Sequence, residues 1–170
     1  MAINIFIVLF CAFIPILFGF LWYSPLMFGR PWQRAAKAEN VGIPAGTMGM
    51  RLALTYLFSI FLSLVLVSIV NHYSGIISLF VTESGWGEAG TEAQLLYDTI
   101  IERLGHKHRS FGHGMLHGSI TGMTVAFPII SILALFELRS WKYIAINAGF
   151  WVLSMTIMGG IICQWWQPMG

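Results

Sequence analysis

Four long stretches of the chain contain no Asp, Glu, Lys or Arg, and each is long enough to cross a lipid bilayer as a helix. They cover residues 1–29, 52–82, 110–136 and 143–170. A spanning helix needs roughly 20 mostly apolar residues. The pattern therefore predicts an all-α membrane protein: one integral domain over 1–170, with spans at about 3–22, 48–70, 112–136 and 141–165.

Shorter elements are predicted between the spans. Pro31 suits the first turn of a short interfacial helix over 32–39, and Thr47 is a plausible cap for the second span. The segment 71–109 holds five of the seven acidic residues. Within it, Thr91 and Gln94 match a capping box and Gly105 supplies a stop, which predicts a small extracytoplasmic helix. Pro15 should bend the first span, because proline removes a backbone donor.

Composition supports the membrane assignment. The chain has 170 residues, of which 57% are hydrophobic and 9% charged, against roughly 25% charged residues in soluble domains. The net charge is only +2 and its basic residues are dispersed, so a nucleic-acid partner is not indicated. Membrane lipids are the expected partners. The first apolar stretch lacks a cationic start and a small-residue cleavage pattern, so it reads as a retained span.

The distribution of Lys and Arg predicts the orientation. The first and third loops carry six of these residues and the second loop three, and the richer side is normally cytoplasmic. We therefore expect both termini and the segment 71–109 to lie outside the cytoplasm, which for a Gram-negative bacterium means an inner-membrane protein with these parts in the periplasm. Aromatic residues near the span ends are the expected interfacial anchors: Trp22, Tyr23, Trp32, Trp141, Trp165 and Trp166.

Histidines form the one group of ligand-type residues. His113 and His117 are four apart and share a helix face, His106 and His108 precede them closely, and His72 lies at the same outer boundary. Zinc and similar ions accept imidazole ligands. No cysteine or regularly spaced carboxylate joins the group, which favours polar structural contacts. No cofactor is predicted, and a metal ion at His106, His108, His113 and His117 is the alternative.

No catalytic motif is present in the sequence. There is no Gly-x-Ser-x-Gly nucleophile elbow and no phosphate-cradling glycine loop. Five histidines are too few for a membrane di-iron site. We therefore expect no enzymatic activity.

Small residues recur at four-residue spacing on the third span. Gly114, Gly118 and Gly122, extended by Ala126, form a smooth stripe that lets another helix approach closely. The stripe packs either against another span of the same chain or across a subunit interface. With a narrow four-helix interior, the sequence favours a non-catalytic, self-associating membrane component or accessory subunit. The alternative is a transporter or channel for a proton, metal ion or small solute, with His113 and His117 at its outer entrance.

Several motifs together resemble a bacterial membrane family described as a domain of unknown function, family 1761. They are GFLWYSPLMFGRPW at 19–32, HGMLHG at 113–118 with Gly122 and Pro128, the hairpin over 136–149, and Met158-Gly159-Gly160. The resemblance implies a small helical membrane protein without an established activity, and it supplies no substrate or catalytic residue.

Overall fold

The computed structural model describes residues 4–38, 42, 44–105 and 107–165. Those residues form helices and no strands. In chain order the elements are α1 (Ile5–Cys11), α2 (Ile14–Trp22), α3 (Gly29–Ala36), α4 (Ala45–Val70), α5 (Tyr73–Phe80), α6 (Glu92–Leu104), α7 (Phe111–Thr121), a π-helical turn (Gly122–Ala126), α8 (Phe127–Phe136) and α9 (Trp141–Trp165).

Four helical units are long and apolar enough to cross a membrane, which confirms the predicted number. They cover Ile5–Trp22, Gly46–Val70, Phe111–Phe136 and Trp141–Trp165. The second span begins earlier than predicted, because α4 starts at Ala45. Thr47 lies inside its first turn, where the hydroxyl donates to the Pro44 carbonyl at 2.9 Å. The prediction that Thr47 caps this helix is therefore wrong.

Helix α9 is the central element of the bundle. In its most apolar stretch of 18 residues, 61% of the residues are buried, against 22–28% in the corresponding stretches of the other three spans. The glycine stripe of α7 lies on it, so the two backbones meet directly. A methyl group at Gly118 would collide with the Met155 carbonyl oxygen, and one at Gly122 would stand 2.7 Å from Val152 Cα. The stripe packs within the chain.

Both proline-containing spans are interrupted. The first breaks at residues 12–13, between α1 and α2, just ahead of Pro15. The third contains the π-helical turn before Pro128, where the Phe127 N–H donates to the Gly122 carbonyl. Proline cannot donate to the helical ladder, and a single π turn accommodates the irregular hydrogen bonding.

The short elements outside the spans differ in detail from the prediction. Helix α3 starts three residues before the predicted 32–39, and residue 39 lies outside the described part of the chain. Helix α6 follows the predicted cap, because the Thr91 hydroxyl accepts from the Gln94 N–H. Helix α5 was not predicted. Its residues are uncharged, and Asn71 and His72 separate it from the second span.

The antiparallel spans gather charges at two ends. The basic end holds α3, the start of α4 and the α8–α9 turn, and carries six of the nine Lys and Arg residues: Arg30, Arg34, Lys37, Arg51, Arg139 and Lys142. The acidic end holds α5, α6 and the start of α7. It carries five of the seven acids: Glu83, Glu88, Glu92, Asp98 and Glu102.

Candidate metal centre

Three imidazoles converge at the acidic end. His113 and His117 stand one turn apart on α7, and their Nε2 atoms are 3.0 Å apart. His72 comes from the elbow between α4 and α5, and its Nε2 lies 3.3 Å from that of His113. One ligand atom from each of the three lies within 4.8 Å of the others. We refer to His72, His113 and His117 as the three-histidine group.

Hydrogen bonds between the rings cannot give both contacts of His113 Nε2 good geometry. An imidazole nitrogen carries either one N–H or one lone pair, so it makes one good hydrogen bond within the ring plane. The Nε2 atom of His113 nevertheless has two ring nitrogens within 3.3 Å. The two neighbouring rings therefore share the single lone pair or the single N–H of His113 Nε2, and only one of the two hydrogen bonds can be well aligned. A cation between the three nitrogens would turn every contact into a favourable one.

The distances fit tetrahedral coordination. Zinc–nitrogen bonds of about 2.0–2.1 Å place two ligand nitrogens roughly 3.3 Å apart at the tetrahedral angle. Two of the separations, 3.0 and 3.3 Å, are close to that value. The third is at most 4.8 Å. The ligand set selects borderline transition metals over Mg²⁺ and Ca²⁺, which prefer oxygen.

Local structure holds the two α7 ligands in register. Ser110 caps α7 by accepting from the His113 N–H at 3.2 Å, and the Phe111 N–H donates to the Gln164 side chain at 2.8 Å. Gly114 alternates with the ligands and lies against the Gly159 carbonyl of α9. The histidine face is therefore carried by a helix seated on the core of the bundle.

His72 is positioned by the bend after the second span. Asn71 has an extended backbone that ends α4, and α5 begins one residue after His72. The Ser74 hydroxyl donates to the carbonyl oxygens of Ser68 and Asn71, at 2.8 and 3.2 Å, and so ties the bend together. The ring then faces α7. The sequence predicted His72 at the outer boundary of the spans but not among the ligands. Its contact with His113 joins residues that are 41 positions apart in the chain, so only the fold brings the two rings together.

Of the other two predicted ligands, His108 is described and is not part of the three-histidine group. His108 stacks on the His113 ring with centroids 5.1 Å apart, but its nitrogens are not among those that converge. Its backbone is left-handed, with φ of 62°, and its carbonyl faces the Cys163 thiol at 3.5 Å. His106 lies outside the described residues.

Electrostatics at this end favour cations. Five acids stand against three basic residues there, and such an excess raises the local concentration of positive ions. The last carbonyls of α4 point toward the His72 elbow, where the helix dipole is negative. The start of α7 opposes this with its positive end. Neither effect exceeds about 1 kcal/mol at an exposed site, so the nitrogen ligands would dominate the binding energy.

Three predicted interfacial anchors have another role in the structure. Trp22 is only 7% exposed and donates to the Ile146 carbonyl at 3.1 Å, so it is a packing residue. Tyr23 and Trp32 both donate to Asn147 Oδ1, at 3.1 and 3.2 Å. These bonds join α2 and α3 to α9. Trp141 and Trp165 are exposed, their role as interfacial anchors stays a prediction, and Trp166 lies outside the described residues.

The sequence model of the family described as "Protein of unknown function (DUF1761)" matches residues 6–163. The chain belongs to this family. No curated protein and no solved structure matches it. Since the family description carries no activity, the three-histidine group is the feature from which a function has to be argued.

Proposed function

We propose that this protein is a non-catalytic component of a bacterial inner membrane that binds one divalent transition-metal ion, of the zinc class, through His72, His113 and His117. The observation that carries the proposal is the approach of three Nε2 atoms, with separations of 3.0 and 3.3 Å about His113. Neutral imidazoles are good ligands for such ions. The exposed side of His72 leaves room for water or a further ligand.

Orientation is part of the proposal. The basic end, with six of the nine Lys and Arg residues, is assigned to the cytoplasm by the positive-inside rule. The three-histidine group and both termini then face outward, and α3 lies along the cytoplasmic surface. Reporter fusions near Gly87 test this. A reporter that works only outside the cytoplasm is expected to be active there, and activity of a cytosol-only reporter would reverse the orientation.

Self-association is the other prediction carried forward. The glycine stripe is occupied by α9, so contacts between copies would use the outward apolar faces, such as Phe58 and Phe61 on α4. Native mass measurement in nanodiscs tests it. A mass of one chain at all protein concentrations would contradict the prediction.

Transport, the alternative suggested by the sequence, receives less support. Spanning ion pathways are lined by ionisable or polar side chains. Asn147, the most prominent polar residue of α9, has its side chain engaged with Tyr23, Trp32 and the Tyr143 carbonyl. A site open at one end fits binding better than passage.

Metal content of the purified full-length protein tests the binding function. The protein in nanodiscs is stripped with chelator, equilibrated with Zn²⁺ and washed, and metal and protein are quantified together. We expect one Zn²⁺ per chain, and at least tenfold weaker binding in His113→Ala and His117→Ala. Co²⁺ in the same site should give the visible absorption of tetrahedral coordination, which adventitious surface binding does not give.

His108→Ala is the matched control. This residue stacks on His113 but lies outside the converging nitrogens, so its removal should leave the stoichiometry unchanged. The proposal fails if the wild-type protein retains no Zn²⁺. It also fails if His113→Ala and His108→Ala bind Zn²⁺ equally well.

A further inference from the structure

A lateral groove lies at the opposite half of the bundle, between α2, α4 and α9. It encloses about 360 Å³, which is within the range of small-molecule sites. Gly19 and Phe20 line it from α2, Leu52 and Thr55 from α4, and Phe150 from α9. We refer to this feature as the α2–α4 groove.

The break in the first span accounts for the groove. On the α1 side of the break the helices are closed together, because Tyr56 of α4 packs on Phe13 with ring centroids 4.3 Å apart and donates to the Leu9 carbonyl at 3.2 Å. Beyond Pro15, no ring contact and no side-chain hydrogen bond joins α2 to α4 among the described residues. Gly19 adds no side chain there, and a Cβ at this position would meet only the Phe150 ring, at 3.7 Å.

The two hydroxyl groups that line the groove are already bonded. The Tyr23 hydroxyl donates to Asn147 Oδ1 at 3.1 Å, and the Thr55 hydroxyl donates to the Arg51 carbonyl at 2.8 Å. Most of the remaining lining is aromatic and aliphatic. The groove therefore suits a hydrocarbon chain.

The end of the groove carries positive charge. Arg51 precedes Thr55 by four residues, so its side chain leaves the same face of α4 one turn nearer the basic end. Arg51 is exposed and has no acidic partner among the described salt bridges. The basic end as a whole carries six Lys and Arg against Glu39 and Glu137. A hydrocarbon chain that ends in an anionic group matches this combination.

We propose that the α2–α4 groove is a binding site for an anionic phospholipid, with one acyl chain along Gly19 and Phe150 and the phosphate at Arg51. Guanidinium groups bind phosphate through paired N–H donors. The site is independent of the three-histidine group, which lies at the other end of the bundle. The specific claim is preference for the anionic headgroup, since bulk lipid can fill any exposed apolar groove.

Lipid retention measured by native mass spectrometry tests the proposal. The full-length protein is reconstituted in vesicles of phosphatidylglycerol and phosphatidylcholine at equal amounts, extracted in mild detergent, and the lipids retained per chain are identified. We expect one retained phosphatidylglycerol per chain. Arg51→Gln should lower its excess over phosphatidylcholine about fivefold, the effect of one basic residue at a membrane surface. Lys142→Gln is the matched control: it removes the same charge at the same end, but from the start of α9 and not from the α4 face that carries Thr55, and it should leave the excess unchanged.

Filling the groove provides the second test. Gly19→Leu places a side chain where only the Phe150 ring is near, and it should abolish retention of both lipids. Gly49→Leu, at an α4 position with no neighbour within 4 Å, should retain them. Unchanged Zn²⁺ content and thermal unfolding would show that both variants are folded. Equal retention of the two lipids by the wild-type protein, or full retention by Gly19→Leu, would overturn the proposal.

Discussion

Adding one methyl group at Gly118 should separate the two central helices. The Cβ of alanine at this position would collide with the Met155 carbonyl oxygen and stand 2.9 Å from the Met155 carbonyl carbon and 3.0 Å from Thr156 Cα. All three atoms belong to the α9 backbone and cannot rotate away. The carbonyl oxygen is the closest of the three, and relieving its collision with the Cβ requires α7 and α9 to part by ~1 Å.

The cost of that separation can be set against the gain in helix propensity. Overpacking of a close contact costs about 1–3 kcal/mol, and a gap of ~1 Å forfeits up to about half of the dispersion energy of each neighbouring pair. Alanine in place of glycine recovers up to about 1 kcal/mol of propensity. Gly112 lies on the same helix as Gly118, and a Cβ there has no neighbour within 4 Å. Gly112→Ala therefore measures the gain in helix propensity alone.

Reversible unfolding in mixed detergent micelles provides the comparison. We expect Gly112→Ala to be as stable as the wild-type protein or more stable, and Gly118→Ala to be less stable than Gly112→Ala by about 2 kcal/mol, the middle of the overpacking range. His117 precedes Gly118 in the chain, so the same variant should also weaken Zn²⁺ binding. If the two alanine variants unfold within about 0.5 kcal/mol of each other, the scale of ordinary surface substitutions, the close packing of α7 on α9 is refuted.

Three further predictions concern other parts of the structure. Asn147→Leu leaves the Tyr23 hydroxyl and the Trp32 indole without their shared acceptor, so unfolding measurements should show a loss of about 1–3 kcal/mol; no loss would contradict the role given to this residue. Ser63 is fully buried and its hydroxyl has no hydrogen-bond partner among the described residues, so Ser63→Ala should be neutral or stabilising by up to about 1 kcal/mol; a clear destabilisation would contradict this. Burial, followed by the neighbouring Tyr73 and Asp98, raises the pKa of Tyr97. The neutral phenol therefore contributes stability that is fully present below the ordinary tyrosine pKa of about 10 and is lost as the pH rises above it. Tyr97→Phe has no phenol to ionise, so its free energy of unfolding should fall less at alkaline pH than that of the wild-type protein. An identical pH dependence of unfolding in both proteins would contradict a contribution from Tyr97.

Hydropathy and local spacing were sufficient for the four spans and for α6, but not for α5 or for the faces that the helices bury. Four uninterrupted apolar stretches predicted the spans, and the Thr91 cap with Gly105 predicted α6, because span length and capping depend on neighbouring residues alone. Trp22 shows the limit. Its position near a span end is the same whether the ring points to headgroups or, as the structure shows, to the Ile146 carbonyl.

The sequence by itself determined that this is a membrane protein with four spans. It also determined the charge difference between the two ends and the pairing of His113 with His117 on one helix face. Only the tertiary structure decided that His72 completes the group, that the glycine stripe lies on α9 and that Tyr23 and Trp32 meet at Asn147. The physical reason is that lipid and protein interior are equally apolar. Span helices therefore lack the polar face that marks the outside of a soluble helix, and contacts between residues distant in the chain decide which side is buried.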